Sequence, residues 1–295
     1  AATNGAVRAL KYSGGSIRDV SACIRFVRSC RDAGGGFAAT PGGAPDVHST
    51  AVGLMAAAEL EVASDELAEG AIRFLSEHAR SFEQIRIAVA GLEAVQKPSP
   101  RFPAWIEQVE SDRNPDGTWG HGPGRARATG SAAVALLRMG VDLDRKEAVL
   151  AALRDGQRPD GGWSRGDEGS DLESTYRVMR AFVMLKARPD LDRLRGFLAR
   201  CRRSNGGYAT TPGGAADVAG TYFATVIARW VRQLTGALEH RKGEYRRERG
   251  RTSVTLVTLS LRAARTAWTG IGVRGFPRPR PRYRGSHNHW NRNVR

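Results

Sequence analysis

Residues Gln157-Arg158-Pro159-Asp160-Gly161-Gly162-Trp163 close one helical pattern and precede another, and the chain is organised around copies of this stretch. Its last four residues return as Gly34-Gly35-Gly36-Phe37, Asp116-Gly117-Thr118-Trp119 and Asn205-Gly206-Gly207-Tyr208, each a glycine-bearing turn ending in an aromatic. Successive aromatics from Phe37 to Tyr208 are 82, 44 and 45 residues apart, so the first interval holds two periods and one copy lacks the turn signature. A second ladder keeps the same register: Thr3, Thr50, Thr129, Thr175 and Thr221 open similar apolar segments at intervals of 47, 79, 46 and 46 residues. The copy without a turn is visible as Phe82–Val95, FEQIRIAVAGLEAV.

Two kinds of helix alternate along this repeat. Segments after each turn, such as 49–60 (STAVGLMAAAEL), 129–140 (TGSAAVALLRMG), 174–186 (STYRVMRAFVMLK) and 220–231 (GTYFATVIARWV), are small and apolar on most faces, as in a helix surrounded by protein. Segments before each turn, Ile17–Cys30, Asp65–His78, Pro103–Ser111, Leu143–Leu153 and Leu191–Cys201, carry charge between apolar residues at helical spacing. Ala1–Tyr12 matches the first kind. The chain therefore reads as all-α: an α/α toroid of six inner and five outer helices over residues 1–232. A closed ring pairs the two kinds equally, so an outer helix is expected upstream of Ala1. The chain begins without Met and inside a helical pattern, so a fragment or processed product, with no leader visible, is expected. The turn has a physical rationale. Glycine reverses the chain at positive φ without steric cost, and the aromatic buries a large area between neighbouring hairpins.

Composition agrees. Hydrophobic residues make up 41% of 295, enough for a large core, and no apolar run reaches the roughly 18 residues of a membrane span. A soluble chain of undetermined compartment is expected. The net charge of +16 is unevenly placed: residues 233–295 hold 15 Lys and Arg against 3 Asp and Glu, leaving +4 for the first 232 residues. That basic, Arg/Pro/Gly-rich tail is expected to be disordered. It is either an arm for nucleic acid or an anionic surface, or an out-of-frame product of GC-rich DNA; its Thr252–Leu261 segment is the one β-prone stretch. Cys23, Cys30 and Cys201 have no zinc-knuckle or disulfide-framework spacing.

The stretch 157–163 resembles the Q-x-x-D-G-x-W motif of squalene and oxidosqualene cyclases, and Arg113–Trp119 keeps its Asp-Gly-aromatic core. The Gly-Gly-Phe and Gly-Gly-Tyr copies look like those of protein prenyltransferase β subunits. Residues 1–232 thus resemble the prenyltransferase/squalene-oxidase repeat superfamily. That resemblance implies a central cavity for an isoprenoid-like or peptide ligand, a partner protein subunit, and a zinc ion held by Asp-x-Cys and Asp-x-x-His-Thr motifs. Here those motifs fall on Asp171-Leu172-Glu173 and Asp217-Val218-Ala219-Gly220-Thr221, so two of three zinc ligands are replaced. The family's diphosphate-binding Arg, Lys and His positions fall on Arg165, Glu168 and Thr129. The Asp-x-Asp-Asp acid of class II cyclases has no counterpart; Asp142-Leu143-Asp144 is nearest. The candidates that remain are Asp171 and Glu173 for catalysis or a weak metal site, and Arg165, Asp46, His48 and Asp217 for ligand binding. Asp46, Asp171 and Asp217 each sit four residues before a repeat threonine, at helix starts that converge on one mouth of a toroid. They serve there either as repeated N-caps or as an acidic cluster. Three functions stay open: a toroid binding an isoprenoid-like or peptide ligand with its prenyl-transfer site eroded, a non-catalytic interaction module, and nucleic-acid binding through the tail.

Overall fold

The computed structural model describes residues 2–236. Among the described residues, eleven α-helices alternate as the repeat requires. The inner helices are α1 (Ala2–Tyr12), α3 (Val47–Glu59), α5 (Phe82–Val95), α7 (Arg125–Arg138), α9 (Leu172–Met184) and α11 (218–236); the outer ones are α2 (Val20–Ser29), α4 (Asp65–His78), α6 (Phe102–Ser111), α8 (Lys146–Asp155) and α10 (Leu191–Cys201). The described residues contain isolated β-bridges but no strand. No helix among them is long and apolar enough to cross a membrane. The basic tail and its β-prone stretch lie at 237–295, outside the described residues.

Inner helices pack in sequence, α1 on α3, α3 on α5, α5 on α7 and α7 on α9. Tyr176 of α9 then stacks against Trp230 of α11 at 5.2 Å, and Arg8 of α1 donates to the Tyr222 hydroxyl of α11 at 3.1 Å. The ring of six closes on itself. Outside it, α4 packs on α3 and α5, and α6 on α5 and α7. At the seam between α11 and α1 the described residues supply no outer helix, and a groove of about 850 Å³ runs there past Ala6, Ala9, Leu10 and Ala228.

One turn design joins outer to inner helices four times. Gly35, Gly117, Gly161 and Gly206 adopt φ of 92°, 89°, 89° and 85°. Around each, the same pair of backbone hydrogen bonds closes the loop, as in Gly161 N to Arg158 O at 2.8 Å and Arg158 N to Gly162 O at 3.0 Å. The aromatic that follows is pinned through its backbone in every copy, and through its ring as well in the two tryptophan copies. Its N–H donates to the Oγ1 of the repeat threonine on the next inner helix: Phe37 to Thr50 at 2.9 Å, Trp119 to Thr129 at 3.0 Å, Trp163 to Thr175 and Tyr208 to Thr221 at 3.1 Å. The indoles of Trp119 and Trp163 donate back to the Val109 and Leu153 carbonyls, both at 2.8 Å. The two ladders in the sequence are the two halves of one clip.

Candidate functional site

The helix starts at the mouth come first. Asp46 accepts from the Ser49 N–H at 2.8 Å, Asp171 from Ser174 at 2.7 Å and Asp217 from Gly220 at 2.6 Å. The first two also accept the hydroxyls of Ser49 and Ser174, each at 2.7 Å. All three are N-caps, satisfying backbone donors that a helix start leaves free. His48, Glu173 and Asp217 border the axial cavity. Arg165 reaches it only through Glu173, at 3.4 Å. Among the described residues no three His, Cys, Asp or Glu side chains come together to hold a metal ion. Thr129 is fully buried in its turn clip, and a Cβ at Gly220 would lie 2.5 Å from the Tyr208 carbonyl oxygen, leaving no room for a histidine. Asp142-Leu143-Asp144 sits before an outer helix, where Asp144 pairs with Arg113.

The axis of the ring encloses about 900 Å³, bordered by residues of all six inner helices. Its walls mix Val52, Met55, Ile87, Val134 and Phe223 with arginines. Near the mouth, Arg177 bridges Glu83 and Glu173, at 2.6 Å each, Arg86 pairs with Glu83 at 3.0 Å, and Arg127 and Arg165 both reach Glu173 at 3.4 Å. Toward the other end, Arg138 and Arg180 share one oxygen of Glu93 at 2.9 and 2.7 Å. Beside them Arg8 donates to the hydroxyls of Tyr222 and Tyr12, with Glu59 3.7 Å away. Tyr176 and Tyr222 meet hydroxyl to hydroxyl at 3.3 Å.

These charges fix the protonation states. Burial alone would push the Glu83 carboxyl up, but hydrogen bonds from Arg177 and the charges of Arg86 and Arg177 outweigh it and hold the group at about 2. Glu93 and Glu173 are likewise held below the usual carboxylate range: burial opposes, and Arg138 and Arg180 in one case and Arg177, Arg127 and Arg165 in the other prevail. They stay ionised at neutral pH, the reverse of what protonating an alkene demands. Burial pushes the Cys30 and Cys201 thiols up, Cys201 to about 11, so neither is primed as a thiolate.

In the sequence, spacing puts the acids at the mouth and composition makes the inner helices apolar; neither singles out the arginines of the cavity. Their signal was present. Arg177 and Arg180 interrupt an inner helix that protein surrounds, and a buried guanidinium requires partners and a reason.

A closed ring of inner helices, wrapped by outer ones around a ligand-sized axial cavity, defines an α/α toroid. The sequence profile of the prenyltransferase alpha-alpha toroid domain matches residues 4–90 and 84–249, and the chain belongs to that family. Among curated proteins it is 32% identical over 121 residues to the uncharacterized proteins y4kT of Sinorhizobium fredii and blr2149 of Bradyrhizobium diazoefficiens. Those matches cover 40% of this chain and span only 23% of either relative. Among solved structures, the apo type II terpene cyclase MstE from Scytonema superposes with a TM-score of 0.52 at 14% identity, over 79% of this chain and 87% of that one. A variant of MstE in complex with geranylgeranyl dihydroxybenzoate, described as its substrate, matches with a TM-score of 0.52 at 15% identity, over 79% and 86%. Likeness at this level bears on the fold.

Proposed function

We propose that this protein binds an isoprenoid ligand carrying a polar head in its axial cavity, and that it does not carry out zinc-dependent prenyl transfer. The observation that carries the reading is the cavity itself. At about 900 Å³ it lies within the range of about 300–1,000 Å³ usual for small-molecule sites, and aliphatic walls alternate with guanidiniums. An isoprenoid chain satisfies the first kind of surface and a polar or anionic head the second. Membership of the toroid family and the prenylated aromatic acid held by the MstE variant support the same choice. His48, Glu173 and Asp217 at the mouth, with Arg165 behind Glu173, are the proposed contacts nearest the entrance.

Zinc does not fit the donor set. The Asp171 carboxylate is consumed by Ser174, Glu173 is neutralised by three arginines, and position 220 admits no side chain. Zinc sites require three or four ligands. The test is incubation with geranylgeranyl diphosphate and geranylgeranyl-substituted acids, with and without zinc or magnesium, followed by native mass spectrometry and product analysis. The expected result is one ligand per chain, undiminished by chelators, with no transfer of the prenyl group to a thiol. Absence of binding under every condition would leave a non-catalytic interaction module as the better reading.

A further inference from the structure

Arginines occur at both ends of the axial cavity and keep free donors at both, since among the described residues Arg86 at the mouth bonds only through its Nε. The far end brings more of them to the cavity: Arg8, Arg138 and Arg180 border it there beside the Tyr176 and Tyr222 hydroxyls, against Arg86 and Arg177 at the mouth. At the mouth, Arg177 divides its terminal nitrogens between two carboxylates, and Glu173 serves three arginines. At the far end, Arg138 spends only its Nε, on Glu93, and its two terminal nitrogens make no hydrogen bond to a described residue. The Arg138 side chain is only 7% exposed and borders the cavity, so what its terminal nitrogens can reach lies there. Arg180 donates one terminal nitrogen to the same Glu93 oxygen, while its buried Nε has no partner. Arg8 completes the group through the Tyr222 hydroxyl, which lies 3.3 Å from that of Tyr176. Three guanidiniums, with Lys11 behind Glu59, thus face two carboxylates. Helix carbonyl ends favour cations, which accounts for Arg138 in the last turn of α7, but Arg180 lies a turn short of the end of α9.

We infer that Arg138, Arg180 and Arg8, with the hydroxyls of Tyr176 and Tyr222, form an oxyanion subsite at the end of the cavity remote from the inner-helix starts. It takes the carboxylate or phosphate head of the ligand, leaving the apolar chain to extend toward His48 and the mouth. Planar guanidiniums with free N–H pairs suit either head, since both present paired oxygens. The Glu93 carboxylate holds the two arginines together against their mutual repulsion and leaves their remaining donors for the incoming anion. This inference rests on the isoprenoid reading above and adds the direction in which the ligand lies.

The experiment measures binding of three geranylgeranyl probes to the full chain by tryptophan fluorescence: the free alcohol, the carboxylic acid and the monophosphate. The acid or the phosphate is expected to bind about ten- to a hundredfold more tightly than the alcohol. The more tightly bound of the two identifies the head. Arg138→Gln removes that preference while leaving the affinity for the alcohol within about twofold, and Arg138→Lys restores part of it. Arg127→Gln, at the mouth but outside the cavity lining, leaves the preference intact. Equal binding of the three probes, or loss of the preference in Arg127→Gln but not in Arg138→Gln, overturns the subsite and keeps the isoprenoid reading. Failure of every probe, alcohol included, overturns the isoprenoid reading itself. If Arg138→Gln does not fold, Tyr222→Phe supplies the second arm: it removes a hydroxyl of the subsite and is expected to weaken the anionic probes selectively.

Discussion

Trp163 is the residue on which one repeat turns, and three forces hold it. Its indole is fully buried, its ring nitrogen returns to Leu153, and its backbone N–H ends on Thr175. The threonine is the less obvious partner. Thr175→Val keeps the shape but strands a buried N–H, a loss of about 1–3 kcal/mol. Urea unfolding is expected to show that cost in Thr175→Val and a smaller one in Thr175→Ser, which retains the hydroxyl. At this scale the sequence was legible in its repeats. The turn aromatics and the threonines both stood out, and Asp46, Asp171 and Asp217 were weighed as caps, which they are. What spacing could not supply was the bond between the two ladders, because an N–H to a side-chain oxygen 10 to 13 residues away leaves no compositional trace.

Between elements, the turn glycines separate conformation from packing. Gly161 and Gly206 occupy the same place in the same turn, with φ of 89° and 85°. A Cβ on Gly161 would overlap the Arg193 carbonyl of α10, the outer helix that follows; one on Gly206 meets nothing within 4 Å. Gly206 faces the seam at which the described residues place no outer helix. Alanine at 206 therefore costs about 1 kcal/mol of backbone strain, whereas at 161 the clash is added and the loss reaches about 3 kcal/mol or more. Equal losses in the two variants, read from chemical denaturation, would show that packing against the next outer helix is not what fixes the glycine. The position six before the aromatic ties the same elements together: Gln157 bonds the Asp190 backbone at 2.9 and 3.0 Å, and Arg31 and Arg113 reach Glu66 and Asp144. Most helix boundaries were legible to within a few residues. α3 starts at Val47 rather than Ser49, and α9 at Leu172 rather than Ser174, because the caps are Asp46 and Asp171 and the repeat threonine lies inside the helix. α7 starts at Arg125, four residues before its threonine and without a side-chain cap, behind a short 3₁₀ turn.

For the whole ring, ion pairs across the cavity link helices distant in sequence. Arg177 and Arg180 of α9 and Arg138 of α7 all anchor on α5, through Glu83 and Glu93. Because the folded carboxyls of Glu83, Glu93 and Glu173 lie below their unfolded values, they stabilise the ring above about pH 4.5, and that contribution is lost as pH falls through the folded values, about 2 for Glu83. The unfolding midpoint in urea is expected to drop between pH 7 and pH 3, and Glu83→Gln to drop by less. A midpoint drop in Glu83→Gln equal to that of the parent would remove this pair from the account. The cavity is also where sequence reading reached least. The inner helices looked uniformly apolar because small residues dominate their windows, and isolated arginines within them were not assigned a face. Only closure of the ring, with Arg8 of α1 meeting Tyr222 of α11, shows that these side chains share one space.

The claim that the ring is a vessel for a ligand is tested most directly by filling it. Ala90 borders the cavity, and Ala90→Trp places an indole inside. Native mass spectrometry of the parent with a geranylgeranyl acid is predicted to show one bound molecule per chain, and Ala90→Trp, folded by circular dichroism, to show none. Undiminished binding in that variant would place the ligand elsewhere and contradict the account.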